Sequence, residues 1–191
     1  MEWNEHLNLS GKHALLGASQ HAWVNYDSAH LEQVFINNLR KERGTYLHDF
    51  ASRAIKNRIK LARLKKALNL FVNDAIGFGM ESEKVLYYSD RCFGTADAIS
   101  FNEQTKLLRI HDLKTGIRKP PFDQLDIYSA LFCLEYGYNP LDLDFVERLY
   151  QDNEYRENIP DPNHIKELMS LIIEFDEELR LLQEKAAKGE I

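Results

Sequence analysis

The sequence predicts an α/β fold of the α+β kind, in which strands form a central sheet and helices flank it. Helical periodicity at residues 44–55 precedes three strand-like segments, and a second helix separates these from a fourth strand. An amphipathic helix follows at residues 162–189. With 191 residues, 44% of them hydrophobic, the chain is long enough to bury one core. We therefore expect a single domain over residues 1–191.

The first helix of this domain is predicted to begin at Gly44-Thr45, with Thr45 as its N-cap residue. His48 then lies in the first turn, and apolar residues recur at core-facing positions. These positions are Leu47, Phe50, Ala51, Ala54 and Ile55. Residues 1–43 form an N-terminal segment, in which only a short helical pattern near residues 31–39 is evident.

The middle of the chain predicts strands at residues 84–89, 95–101 and 106–114, with a polar turn at 102–105. Pro120 and Pro121 start a helix that Gly137 ends, because proline is tolerated in a first helical turn and glycine favours a helix end. Gln124 and Tyr128 share a face of this helix at positions i and i+4. A fourth strand is predicted at 142–151.

The last helix carries an apolar stripe on an otherwise charged surface. The stripe consists of Ile165, Leu168, Ile172, Phe175, Leu179 and Leu182. Residues 152–191 are therefore predicted to form an acidic C-terminal helical segment. Such a helix could dock a partner protein or a second copy of the chain.

Charge is distributed unevenly along the chain. From Leu141 onward there are 14 acidic and 6 basic residues, a net charge of −8, whereas residues 1–140 carry +2. A run of basic residues without an intervening acid could follow a phosphate backbone, or could simply be a solvated helix face. The run consists of Arg53, Lys56, Arg58, Lys60, Arg63, Lys65 and Lys66.

Several classes of protein are disfavoured. The opening ten residues lack a basic region followed by an apolar one, and no apolar run approaches the ~20 residues of a membrane span. We therefore expect a soluble cytoplasmic protein with no membrane partner. Cys92 and Cys133 are the only cysteines, and neither a disulfide framework nor a zinc or iron–sulfur site is indicated.

The segment RIHDLKTG, residues 109–116, places Asp112 and Lys114 on one face of a predicted strand. Asp97 lies on the adjacent strand. Two carboxylates held close together in a partly dry site repel one another, and a divalent cation removes that cost. Oxygen ligands favour Mg²⁺ or Mn²⁺, and an imidazole from His48 shifts the preference toward Mn²⁺. Lys114 adds a positive charge suited to a phosphate transition state.

The motifs around these residues occur in a characteristic order. They are GTYLH ending at His48, GTAD ending at Asp97, DLK ending at Lys114 and QLDIY from Gln124 to Tyr128. Together they resemble the RecB-like branch of the PD-(D/E)XK nuclease superfamily. Longer stretches, including VLYYSDRCFGTADAISF and YSALFCLEYG, are similar to bacteriophage-encoded exonucleases related to the CRISPR-associated RecB-like nucleases. The resemblance spans nearly the whole chain, although each residue taken alone also has an ordinary structural role.

The resemblance implies a restriction-endonuclease-like core at residues 44–151, with a mixed sheet and a metal site at a fork between strands. It implies that His48, Asp97, Asp112 and the backbone carbonyl of Leu113 bind Mg²⁺ or Mn²⁺, and that Lys114 assists the attacking water. It further implies that Gln124 and Tyr128 orient Lys114 or hold DNA. Arg53, Lys56 and Lys60 are the expected backbone contacts. Many relatives carry four cysteines for an iron–sulfur cluster, and since this chain has two, we expect none.

The function that follows is metal-dependent hydrolysis of DNA from its ends, in recombination, repair or degradation, within a host cytoplasm if the chain is phage-encoded. One alternative is a nuclease-like DNA-binding or interaction subunit with little activity of its own. Another is a structure-specific endonuclease. Glu81 and Glu83 could add a further carboxylate to the site, or could be surface charge.

Overall fold

A computed structural model describes residue 5, residues 7–9 and residues 11–190. Six of the first ten residues, whose pattern gave no sign of a signal peptide, therefore lie outside the described residues. The chain forms two compact units, Met1–Arg43 and Gly44–Ile191. The first unit contains two short 3₁₀ helices, Leu7–Leu9 and Ala18–Asn25, and the first half of helix α1, Ser28–Lys56.

The second unit is built on one sheet of five strands within its described residues. They are β1 (Glu81–Ser89), β2 (Cys92–Asn102), β3 (Leu107–Leu113), β4 (Asp144–Gln151) and β5 (Glu154–Asn158). Their spatial order follows the chain. Strands β3 and β4 run parallel, and every other neighbouring pair is antiparallel. The predicted α/β class, with a mixed sheet flanked by helices, is confirmed.

Helices cover both faces of this sheet. One core lies between the sheet and the helices α3 (Asp123–Tyr136) and α4 (Pro162–Ala187), with Leu108, Leu131 and Ile165 at its centre. The other lies between the sheet and the end of α1 together with α2 (Ala67–Gly77), around Ile55 and Phe71. A short 3₁₀ helix, Pro140–Asp142, joins α3 to β4. Burial on both faces makes the sheet a rigid platform.

The predicted start of the first helix was wrong. Helix α1 begins at Ser28, where the side chain of Asp27 accepts a hydrogen bond from the His30 N–H at 2.7 Å. An acidic cap of this kind satisfies an otherwise free helical N–H group. Thr45 lies inside α1, and His48 lies well past its first turn, because Gly44 in a helix interior costs only about 1 kcal/mol and need not interrupt it.

Two further elements were not predicted, helix α2 and strand β5. The stretch LARLKKALNL, residues 61–70, mixes basic and apolar residues, which obscured the start of α2 at Ala67. Strand β5 is only five residues long and pairs with β4. The segment from residue 152 thus supplies a strand to the sheet as well as the helix α4. Helix α3 starts at Asp123, three residues later than predicted, and ends as expected at Gly137, which has a φ of 70°.

The described helices include none that is both long and apolar enough to cross a membrane.

Candidate active site

The sheet forks between the middle of β2 and the C-terminal end of β3. The antiparallel pairing between them stops at Ala98 and His111, whereas the pairing of β3 with β4 continues to Leu113 and Tyr150. Beyond the fork the N–H of Leu113 has no strand partner on its β2 side and instead donates a 2.8 Å hydrogen bond to Asp97 Oδ2. Backbone N–H and C=O groups of one strand residue point to the same edge, so we expect the Leu113 carbonyl to face the fork as well.

His48 reaches the fork from α1. It lies on the same face of the helix as Ala51, Ser52 and Ile55, which are buried against the sheet. Its Nδ1 atom lies 3.2 Å from Asp97 Oδ2. This hydrogen bond to the Asp97 carboxylate raises the pKa of His48, against the opposing effect of burial. The packing of α1 therefore delivers an imidazole to the carboxylates of the sheet.

Glu83 approaches the same point from β1 through an unusual backbone. Its φ of 54° lies in the left-handed region, which non-glycine residues seldom adopt. Ala96 and Ala98 on β2 would share a face in a regular strand, yet Ala96 lies in the core beneath α3 and Ala98 in the core beneath α2. The alternation of faces thus breaks at the position where Glu83 lies across from Asp97, and backbone strain of this kind is characteristic of functional sites.

Together, His48, Glu83 and Asp97 form a group that could hold a metal ion. Each offers one ligand atom, and these atoms all lie within 4.8 Å of one another. Burial and the negative charge of Asp97 raise the pKa of Glu83. Glu81, the other acidic candidate in this strand, instead pairs with Lys84 at 3.4 Å. The sequence left Glu81 and Glu83 equivalent. Counting back from the β1–β2 turn would not have identified the partner of Asp97, because a register shift between Tyr87 and Ser89 moves the pairing by one residue.

Asp112 lies on the neighbouring strand, buried and beside this group. Its pKa is raised to about 6, mainly by burial and then by the charge of Asp97, and Lys114 and His48 partly oppose the rise. The Lys114 ammonium lies 3.0 Å from Oδ2 but donates its hydrogen bond to Oδ1 at 3.2 Å. Oδ2 is fully buried and accepts no hydrogen bond within the described chain. An acceptor oxygen in that state is suited to a cation.

A relay of hydrogen bonds holds Lys114 in place. The ammonium donates to Gln124 Oε1 at 2.5 Å, and Gln124 Nε2 donates to the Tyr128 hydroxyl at 2.8 Å. Tyr128 in turn donates to the backbone carbonyl of Thr95 at 2.8 Å. The relay connects β3 through α3 to β2, so the position of the lysine depends on three elements. The geometry accords with an orienting role for Gln124 and Tyr128.

Two motif glycines allow these contacts, a role that the sequence did not reveal. A Cβ atom at Gly94 would lie 2.7 Å from Tyr128 Cε1, inside van der Waals contact. A Cβ atom at Gly44 would lie 2.7 Å from the hydroxyl of Thr115, the residue that follows Lys114. Each glycine thus lets a side chain next to the site pack directly against backbone.

The basic run does not form a helix face. Only Arg53 and Lys56 belong to α1, and the remaining members lie in the exposed connection to α2 and at its start. Arg53 forms an ion pair with Asp49, with 2.5 Å between the guanidinium and the carboxylate. Lys56 is close enough to the site for its charge to lower the pKa of Glu83. Lys60 lies exposed in the connection, away from any ion-pair partner within the described residues.

No protein-family model matches this chain, and no match is found among curated proteins or solved structures. The site therefore has to be interpreted from its own residues.

Proposed function

We propose that this protein is a divalent-metal-dependent deoxyribonuclease that hydrolyses DNA phosphodiester bonds from ends. The observation that carries the proposal is the group of His48, Glu83 and Asp97 at the fork, adjoined by Asp112 and its oriented lysine. An imidazole and several carboxylates converge there with a single ammonium. The preference for ends comes from the sequence resemblance.

The donor set fits Mg²⁺ or Mn²⁺. Carboxylate oxygens suit both ions, and one imidazole favours Mn²⁺. The buried Asp112 Oδ2 accepts no hydrogen bond within the described chain, although the Lys114 ammonium lies 3.0 Å from it. His48, Glu83, Asp97 and Asp112 would hold the ion, and the Leu113 carbonyl is the backbone candidate. A bound ion would neutralise the carboxylates, polarise the scissile phosphate and lower the pKa of water.

The chain's own residues position the reaction. Lys114 holds a positive charge beside Asp112, where it can stabilise negative charge that develops on the phosphate. Gln124 limits where that ammonium points, since its Oε1 accepts a hydrogen bond from the ammonium and its Nε2 donates one to the Tyr128 hydroxyl. Lys56 is the basic residue whose charge reaches the site, and we propose that it contacts the DNA backbone.

The proposal is tested by incubating end-labelled linear single- and double-stranded DNA, and a closed circle, with Mn²⁺, Mg²⁺ or EDTA. We expect metal-dependent loss of linear DNA and a spared circle. Asp112→Asn, which weakens the metal site, and Lys114→Ala, which removes a positive charge that stabilises the transition state, should each lower the rate by about 100-fold or more. The exposed residues Asp144 and Lys166 supply the matched controls Asp144→Asn and Lys166→Ala, which should retain full activity.

Cleavage of the circle would favour the structure-specific endonuclease instead. Undiminished cleavage by both site variants, with folding verified by circular dichroism, would show that Asp112 and Lys114 do not have the assigned roles.

A second candidate is a nuclease-like subunit that binds DNA or a protein with little turnover. It is favoured by α4, whose second half exposes Phe175 and Leu179 to solvent. Absence of cleavage with either metal on every DNA form, together with retained DNA binding, would favour this reading. In either case we propose a cytoplasmic location, which is the cytoplasm of a host cell if the chain is phage-encoded.

A further inference from the structure

The apolar stripe of α4 changes its surroundings halfway along the helix. Ile165 is fully buried, and Leu168 and Ile172 pack against the core beneath α3. Beyond them the stripe continues without cover: Phe175 and Leu179 are 51% and 45% exposed. Leu182 is 39% exposed. An apolar surface that continues a packed one and is left open is typical of an interaction site.

The spacing of the stripe is that of a helix that pairs with another helix. From Leu168 the positions are 168, 172, 175, 179, 182 and 186, which alternate steps of four and three. This is the heptad pattern of the a and d positions in a coiled coil. In the exposed half the stripe contains two leucines, Leu179 and Leu182, with the large Phe175 at one end and the small Ala186 at the other.

The charges that border the exposed half are divided between its two sides. On one side, Asp176 and Gln183 contact Arg91 of the β1–β2 turn. On the other side lie Glu178 and Lys185, which have no ion-pair partner within the described part of the chain. They are seven residues apart, too far along a helix to pair with one another. The open side thus presents one unpaired acid and one unpaired base.

We propose that the exposed half of α4 binds the same half of a second copy of this chain, with the two helices antiparallel. In this arrangement Leu179 faces Leu182 of the second copy, and Phe175 faces Ala186, so each large side chain meets a smaller one. Glu178 lies beside Lys185 of the second copy, and the two-fold symmetry forms this pair twice. The otherwise unpaired charges are then both matched.

A parallel pairing fits the charges less well. In a parallel pair of helices in register, the flanking residue of one side lies beside that of the other side in the second copy, so Glu178 would face Gln183 and find no basic partner. In the antiparallel pair Glu178 instead lies beside Lys185. Charge complementarity therefore selects the antiparallel second copy as the occupant.

The buried half of α4 remains outside the overlap. When Leu179 opposes Leu182, the residues of one copy that pack on its own sheet, such as Ile165, lie beyond the C-terminal end of the other copy's helix. The two sheets are then at opposite ends of the pair. This inference concerns a surface away from the fork and does not depend on the proposed nuclease function.

The test measures the association of the full chain by sedimentation equilibrium over a wide range of concentrations. We expect a reversible dimer, and Leu182→Gln should raise its dissociation constant by about tenfold or more, since the change removes buried apolar surface from both helices. The matched control is Leu181→Gln. Leu181 is 44% exposed and lies about 100° around the helix from Leu182, outside the stripe, so this variant should dimerise like the wild type.

The orientation is tested by exchanging the unpaired charges. Glu178→Lys and Lys185→Glu should each raise the dissociation constant about threefold or more, and the double variant should restore the wild-type value. Circular dichroism verifies that α4 stays helical in each case. A chain that stays monomeric at every concentration, or a dimer indifferent to Leu182→Gln, would overturn the proposal. If both single exchanges weaken the dimer and the double exchange fails to restore it, the antiparallel arrangement is wrong.

Discussion

The N–H of Leu113 donates to Asp97 Oδ2 at 2.8 Å, at the point where β2 and β3 part. A side-chain carboxylate thus satisfies the backbone group that loses its strand partner. The same oxygen accepts a hydrogen bond from His48 Nδ1, which lies 3.2 Å away. Asp97 therefore stabilises the fork. The separation of β2 from β3 at this point brings together the polar groups that a cation requires.

Metal binding should stabilise the fold through the carboxylates at the fork. We expect Mn²⁺ to raise the melting temperature of the wild type, because an ion that binds only the folded state shifts the folding equilibrium. Asp112→Asn should lose most of this shift, whereas Asp144→Asn, which changes an exposed acid at the start of β4, should retain it. Differential scanning fluorimetry with and without EDTA measures the effect. An equal shift in both variants would exclude Asp112 from the metal site.

Glu83→Gly separates strain from function. Glycine adopts a φ near 54° without steric cost, so the variant should gain about 1 kcal/mol in the free energy of unfolding without metal. It should also lose part of the Mn²⁺-induced stabilisation, since it removes one of the three candidate ligands. Lys106→Gly is the matched control: Lys106 has a φ of 56° in the turn between β2 and β3, away from the fork. It should gain stability and keep its response to metal.

Urea unfolding in EDTA and in Mn²⁺ measures both quantities. An unchanged metal response in Glu83→Gly would show that its carboxylate is not a ligand.

Gly94→Ala should disturb the lysine relay from a distance. The added methyl group would lie 2.7 Å from the Tyr128 ring and must displace it, at a cost of about 1–3 kcal/mol in the free energy of unfolding. Displacing Tyr128 frees Gln124 and so loosens Lys114, and we expect nuclease activity to fall with little change in DNA binding. Gly77→Ala, at the end of α2 where nothing lies within 4 Å of the new Cβ, should be neutral in both measurements. Full activity in Gly94→Ala would show that the position of Tyr128 does not affect Lys114.

The stability of the fold should fall as the pH rises, because of a buried carboxyl pair away from the fork. Burial, and then the negative charge of the neighbouring Asp126, raise the pKa of Glu147 to about 8, although hydrogen bonds from Asn158 and Ser129 partly oppose the rise. Ser129 and Asn158 hydrogen bond to its two oxygens at 2.9 and 3.1 Å. In the unfolded chain the carboxyl loses its proton near pH 4.5, so stability should decline from there to about pH 8 and then level off.

Glu147→Gln, which cannot ionise, should remove most of this slope. The measurement is the free energy of unfolding in urea at a series of pH values between 5 and 8. A variant with the same slope as the wild type would assign the pH dependence to other groups.

Local patterns were sufficient wherever an element depends on its own residues. The turn between β2 and β3, which lies one residue later than predicted, the strand pattern of β3 and the end of α3 at Gly137 were predicted from spacing and from glycine and polar turn residues. The start of helix α1 was misjudged because Gly44-Thr45 resembles a helix start, whereas the helix begins beside Asp27. The interpretation of the basic run as a helix face was wrong because most of the run lies between α1 and α2. Strand β5 was missed because a strand of five residues needs the edge of β4 to form.

The sequence by itself determined the α/β class, the order of most elements and the residue types at the site, because periodicity and motif spacing are local properties of the chain. Only the tertiary structure decided that Glu83, and not Glu81, faces Asp97, and that Gly94 makes room for Tyr128. Both depend on how one strand is twisted and packed against another element. Contacts between residues distant in sequence are selected by the burial of the whole core, which no short stretch of sequence encodes.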